Sequence, residues 1–257
     1  MSYQQYRPQS FNILPPVVKN LLIINVFFYI ATLVCESKGI DLTEILGLHY
    51  PASGGFRPYQ FVTYMFMHAT RNPDGSIMFA HIFFNMFALW MFGNTLENFW
   101  GSKRFLIYYM VTGLGAAAVH MVITYFRLQT LYSQVDAGAL DAVFSQGYDA
   151  LQSGQNFTDP LLAQINLIIN NTMVGASGAV FGVLLAFGML FPNTMLYIYF
   201  AIPMKAKWFV LIYGLVELGM GIANSEGDNV AHFAHLGGML FGFLLIKYWQ
   251  KRSNHFY

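Results

Sequence analysis

Gly175-Ala176-Ser177-Gly178 opens an apolar run, residues 179–191, that reads AVFGVLLAFGMLF without a single charge. A serine at the head of a helix most often caps it, accepting a backbone N–H of the first turn. Here one glycine stands two positions before the hydroxyl and another directly after it, which leaves the side chain accessible and lets other backbone come close. Patterns of small residues also serve simply to pack transmembrane helices together. The quartet acquires chemical meaning only if a base and an oxyanion site lie elsewhere in the chain.

The rest of the chain shares the character of that run. Of its 257 residues 56% are hydrophobic, 18% aromatic and only 10% charged, whereas a soluble domain carries about 25% charged residues. This is the composition of a membrane protein. The formal net charge of +1 supplies no basic face for a nucleic acid, and the single cysteine, Cys35, rules out an intramolecular disulfide.

Hydropathy divides the chain into six apolar segments, at about 17–34, 81–100, 105–126, 177–191, 206–222 and 230–248. The first is followed by Glu36-Ser37-Lys38 without a small-residue cleavage site, so it reads as a retained span and not as a cleaved signal peptide. Residues 37–80, with scattered prolines, glycines and aromatics, read as a structured loop half sunk in the interface. Residues 127–172 form a polar insertion, part helical, with Leu131, Val135, Val143, Phe144 and Leu151 at roughly helical spacing. The piece 195–202, between Pro192 and Pro203, falls short of the ~20 residues that a span requires and reads as a re-entrant or interfacial connector.

The expected fold is an all-α bundle of six transmembrane helices. A short cytoplasmic segment, 1–16, precedes a membrane domain, 17–250, and a cytoplasmic tail, 251–257, follows it. The side holding both termini would carry Arg7, Lys19, Lys103, Arg104, Lys205, Lys207, Lys247, Lys251 and Arg252, against Lys38, Arg57, Arg71 and Arg127 on the other. Nine against four favours cytoplasmic termini by the positive-inside rule. The insertion and most acidic loop residues, among them Asp136, Asp141, Asp149, Asp159, Glu226 and Asp228, then lie outside.

Polar groups within spans are costly, which makes each a functional candidate. Besides Ser177 these are His81 and Asn85, four apart on one helical face, and His232 and His235. His235 precedes Gly238 and Gly242, a small-xxx-small pair that admits close helix packing. At ~1.5 Å per residue, Ser177 stands ~21 Å above Phe191, Asn85 ~22 Å above Trp100 and His235 ~18 Å above Lys247. All three reach one level, roughly 10 Å below the outer surface of a ~30 Å hydrocarbon core. A stripe of Gly178, Gly182 and Ala186 can face Gly238 and Gly242 and so bring Ser177 to His235.

Those residues suit one chemistry. A serine hydroxyl needs a base to take its proton, and an imidazole is the usual one; the oxyanion formed on attack needs donors, which His81, Asn85 and the Ser177 backbone N–H can supply. Glu97 and Glu217 are placed nearer the inner halves of their helices, so the expectation is a Ser-His dyad without a carboxylate.

GASG at 175–178, HIFFN at 81–85, GNTLENFWG at 93–101 and AHLGGMLFG at 234–242 together resemble the rhomboid family of intramembrane serine proteases. The resemblance covers nearly the whole chain. It implies that Ser177 is the nucleophile, that His235 is the general base, and that His81 and Asn85 assist the oxyanion. Glu97, Gly175, Gly178, Gly238 and Gly242 take structural roles. The implied reaction is cleavage of transmembrane segments of other membrane proteins through an acyl-enzyme, with no cofactor and no metal. The partners expected are transmembrane substrates and the lipid bilayer, and the location expected is the bacterial inner (plasma) membrane. The sequence departs from the family at Tyr59-Gln60, where many members have Trp-Arg, and in the step of thirteen positions from His68 to His81.

Two other readings stand beside this one. A catalytically silent relative would bind and escort transmembrane segments, although silent relatives tend to lack one of the two residues retained here as Ser177 and His235. A metal-binding protein or transporter would use His68, His81, His232 and His235, but no HExxH motif or carboxylate-histidine pair completes such a site in the sequence. His232 reads as a packing or hydrogen-bonding residue, and Glu217 is left without a role.

Overall fold

The structure is a computed structural model that describes residues 11–72, 74–198, 201–223 and 229–252. The expected segments at 1–10 and 253–257, and the outward placement of Glu226 and Asp228, lie outside the described residues.

Pro15 and Pro16 start helix α1 (Pro16–Glu36), as expected where a missing N–H costs nothing in the first turn. The loop after it contains α2 (Leu42–Leu46), capped by the Asp41 carboxylate on the N–H groups of Thr43 and Glu44, and the short α3 (Gln60–Thr63) running into a 3₁₀ turn, Tyr64–Phe66. This loop is ordered by Gln60, one of the two departures from the family pattern. Its buried amide oxygen accepts the Arg57 N–H at 2.9 Å, and its amide nitrogen donates to the carbonyls of Gly55 at 3.0 Å and Ile45 at 3.2 Å.

The second apolar segment is a helical stack: α4 (Ala80–Ala88), a π turn (Leu89–Gly93) and α5 (Asn94–Trp100). Beyond the π turn, Glu97 accepts the orphan N–H groups of Val17 at 2.9 Å and Val18 at 2.8 Å, together with the Ser102 hydroxyl at 2.6 Å. A helix start within apolar surroundings needs such an acceptor, so Glu97 fastens α1 to α5.

Helix α6 (Ser102–Tyr132) is one turn and more longer than its apolar segment, and it carries the polar insertion directly. The insertion folds into α7 (Ala137–Gln152) and α8 (Pro160–Asn170), whose N-caps are Asp136 and Asp159. Val143, Ile165 and Ile169 close with Leu128 of α6 over a small core of their own, with Leu131 and Val135 packed against it. Phe144, expected on the same apolar face, is instead 46% exposed.

Helix α9 (Ser177–Leu190) leads to the connector, which is paired strand. Strands β1 (Met195–Ile198) and β2 (Ile202–Lys205) pair antiparallel, with Met195 opposite Lys205 and Ile198 opposite Ile202. Pro203 opposes a helix through this piece, and antiparallel pairing satisfies backbone groups along it. Helices α10 (Ala206–Ala223) and α11 (Asn229–Arg252) complete the chain.

The described residues are mostly helical, and among them three helices, α1, α6 and α10, are by themselves long and apolar enough to cross a membrane. The centre belongs to others. Helices α6, α9 and α11 pack tightly on one another, and α9 buries ten of its fourteen residues, Gly178 to Gly188 with few gaps.

Candidate active site

The chain reaches α9 through Gly175, whose φ of 126° is a conformation that a side chain would strain. Its N–H is tied to the Tyr64 carbonyl at 3.0 Å. The cap position is Ala176, without a side-chain bond, and Ser177 is already the first helical residue. The hydroxyl is therefore not spent on capping. Ser177 Oγ lies 2.8 Å from Nε2 of His235.

Small residues make that approach possible. A methyl group at Gly238 would strike the carbonyl oxygen of Gly178, so α9 and α11 meet backbone to backbone one turn below the pair. The stripe expected between these two helices is in fact shared three ways. Methyl groups at Gly178 and Gly182 would collide with Ala116 and Thr112 of α6, and one at Gly242 would collide with the Tyr108 hydroxyl, also on α6. The His235 ring is held flat against Phe181 of α9, 4.2 Å between centroids and 5° between planes, and Phe181 stacks in turn on Tyr213 of α10.

The expectation of a dyad without a carboxylate is corrected here. Oε2 of Glu217, on α10, lies 2.9 Å from Nδ1 of His235 and 2.7 Å from Nδ1 of His232. Glu217 and His232 are buried. A carboxylate accepts, so each Nδ1 carries the proton, and Nε2 of His235 is left to accept from the serine. The error lay in the direction of α10, which rises while its neighbours descend. Glu217 stands eleven residues above Ala206, about 16 Å, close to the ~18 Å by which His235 stands above Lys247. The signal was present in the sequence.

His81 stands beside the serine: a methyl group on Gly175 would lie 3.3 Å from His81 Nε2 and 3.5 Å from Ser177 Oγ. Asn85 is buried, and its amide donates to the His81 carbonyl at 2.9 Å, holding it within its own helix. The N–H of Ser177 belongs to the first turn of α9 and has no intrahelical acceptor. His68 is fully buried and stacks edge-on against His81, 5.2 Å between centroids. The four histidines thus divide into two pairs. Among the described residues, the group arranged so that a metal ion would fit is Glu217, His232 and His235, with ligand atoms within 4.8 Å of one another. It includes the carboxylate-histidine pair that no sequence motif announced.

A family model, the Rhomboid domain, matches residues 55–252. The chain belongs to the rhomboid family. Among its relatives, this rhomboid is 30% identical to the mitochondrial Rhomboid protein 1 of Saccharomyces cerevisiae over 67% of the present chain and 39% of that protein. It is 25% identical to the mitochondrial RHOMBOID-like protein 12 of Arabidopsis thaliana over 86% of the chain and 55% of the relative. An uncharacterized mitochondrial rhomboid protein of Schizosaccharomyces pombe is 37% identical over 32% of the chain and 22% of its own length. This rhomboid spans about half or less of the length of each. The three names also overturn the expected bacterial plasma membrane, since all three relatives are named as mitochondrial proteins.

Proposed function

We propose that this rhomboid is an intramembrane serine endopeptidase that cleaves transmembrane segments of other membrane proteins. The observation that carries the reading is the 2.8 Å contact of Ser177 Oγ with His235 Nε2, in a histidine whose other nitrogen is already engaged. His235 takes the serine proton as the hydroxyl attacks the peptide carbonyl, and returns it to the leaving amine as the acyl-enzyme forms. The oxyanion is met by the Ser177 N–H and by His81, with Asn85 orienting that face of α4. Water then hydrolyses the ester, with His235 again as base.

The same reading assigns six spans: α1, the stack of α4 and α5, α6, α9, α10 and α11. Both termini lie on the side richer in Lys and Arg, and α7 with α8 lies on the opposite side. The membrane domain occupies 17–250. A helix of fourteen residues, α9, covers about 21 Å, which starts Ser177 below one face of a ~30 Å core. The names of the relatives favour a mitochondrial membrane.

The test is cleavage of a transmembrane reporter substrate in detergent by the purified protein and by its Ser177→Ala variant. Cleavage by the first and none by the second is the expected result. Binding of the substrate without cleavage by either would favour the silent, escorting alternative.

A further inference from the structure

Two side chains of the cluster beside the serine have no part in a Ser-His dyad: Glu217 and His232. Both are buried, and Nδ1 of His232 and Nδ1 of His235 converge on one carboxylate oxygen of Glu217, at 2.7 and 2.9 Å. A buried carboxylate is costly unless its charge is met by donors, and a structural ion need not sit on the one nitrogen that fixes the tautomer of the residue facing Ser177.

We propose that Glu217 is the positioning residue for His235, converting the dyad into a Ser-His-Glu array, with His232 as the second donor that holds the carboxylate in place. The proposal rests on the protease reading. An imidazole without a partner at Nδ1 divides between two tautomers, and the one protonated at Nε2 donates toward the serine and cannot accept its proton. The Glu217 oxygen at Nδ1 selects the competent tautomer. As the serine proton arrives at Nε2 the ring becomes an imidazolium, and its Nδ1–H to Oε2 bond becomes charge-assisted on both sides, about twice as strong as a neutral one. Support of this kind grows toward the transition state and so enters kcat. Phe181 holds the plane of the ring and Glu217 its rotation within the plane. The array draws on three helices, with Ser177 on α9, His235 on α11 and Glu217 on α10.

The experiment compares the intact protein with Glu217→Gln and Glu217→Asp, using the transmembrane reporter for kcat and KM and a fluorophosphonate for the labelling rate of Ser177. Thermal unfolding is followed beside both. The expected result for Glu217→Gln, close in shape but uncharged, is a fall of kcat by about 100-fold or more with KM within about twofold and labelling slowed in parallel. Glu217→Asp, a poorer fit that keeps the charge, should recover more of kcat than the glutamine variant does. Wild-type kcat in Glu217→Gln would overturn the proposal. So would equal losses in both variants that track a lowered unfolding temperature, since these would mean packing alone. Neither result resembles failure of the protease reading itself, in which the unaltered protein would neither cleave nor be labelled.

Discussion

The two sides of His235 are built differently. Toward α9 the helices meet backbone on backbone, through Gly178 and Gly238, with no room for a methyl group. Toward α10 the contact is made by side chains: Met239 reaches Gly214, Phe233 reaches Gly221, and Glu217 reaches both histidines. The outer surface of α10 is correspondingly bare, with Leu215 58% and Ile222 68% exposed, a face suited to lipid. Dispersion between close backbones fixes a distance, and it leaves nothing to adjust. A single carboxylate fixes an orientation. In this rhomboid the α9 and α11 seam carries the contact of Ser177 with His235, and a carboxylate of α10 meets the other nitrogen of that ring.

The sharpest way to break that division is at the histidines. His235→Ala should abolish cleavage and also prevent fluorophosphonate labelling of Ser177, whose hydroxyl then has no base. His232→Ala should keep most of the labelling, because it removes a donor to Glu217 and leaves His235 in contact with the serine. Both variants are compared after equal folding is confirmed by thermal unfolding. An inactive His232 variant beside an active His235 variant would assign the base to the wrong residue.

The next test contrasts the two seams directly. Gly238→Ala pushes a methyl group into the Gly178 carbonyl, and overpacking of this kind costs about 1–3 kcal/mol. Lowered unfolding temperature and lost cleavage are expected together. Gly214→Ala on the α10 side meets only the end of the flexible Met239 side chain, at 3.3 Å, and should change either measurement little. Equal sensitivity at the two positions would remove the distinction between a rigid and an adaptable side.

The smallest effect is expected far from both seams. Helices α7 and α8 close over their own core, so clipping the connection between them, near 153–158, should leave the labelling rate of Ser177 unchanged while altering the rate on a bulky membrane substrate. Protease added to sealed vesicles should cut there only from the side opposite the termini. Cutting from the side of the termini would invert the topology.

Much of this was legible in the sequence because the relevant signals are local. Apolar length and periodicity set the helices, the spacing of apolar residues in 127–172 marked an insertion that is part helical, and residue counts put Ser177 level with His235, which it contacts. The glycines showed where helices approach. What they could not show was the partner: Gly178 and Gly182 serve α6 as well as α11, because a missing side chain records a close neighbour without naming it. Likewise, the order of residues 195–205 did not show that this connector pairs as two antiparallel strands. Glu217 shows the limit most clearly. Its depth could be counted from Ala206, but depth is one coordinate of three. Only the packing of α10 against α11, which brings the carboxylate to His232 and His235, decided that the charge would lie beside the histidine that contacts Ser177 and not against another helix or in the lipid.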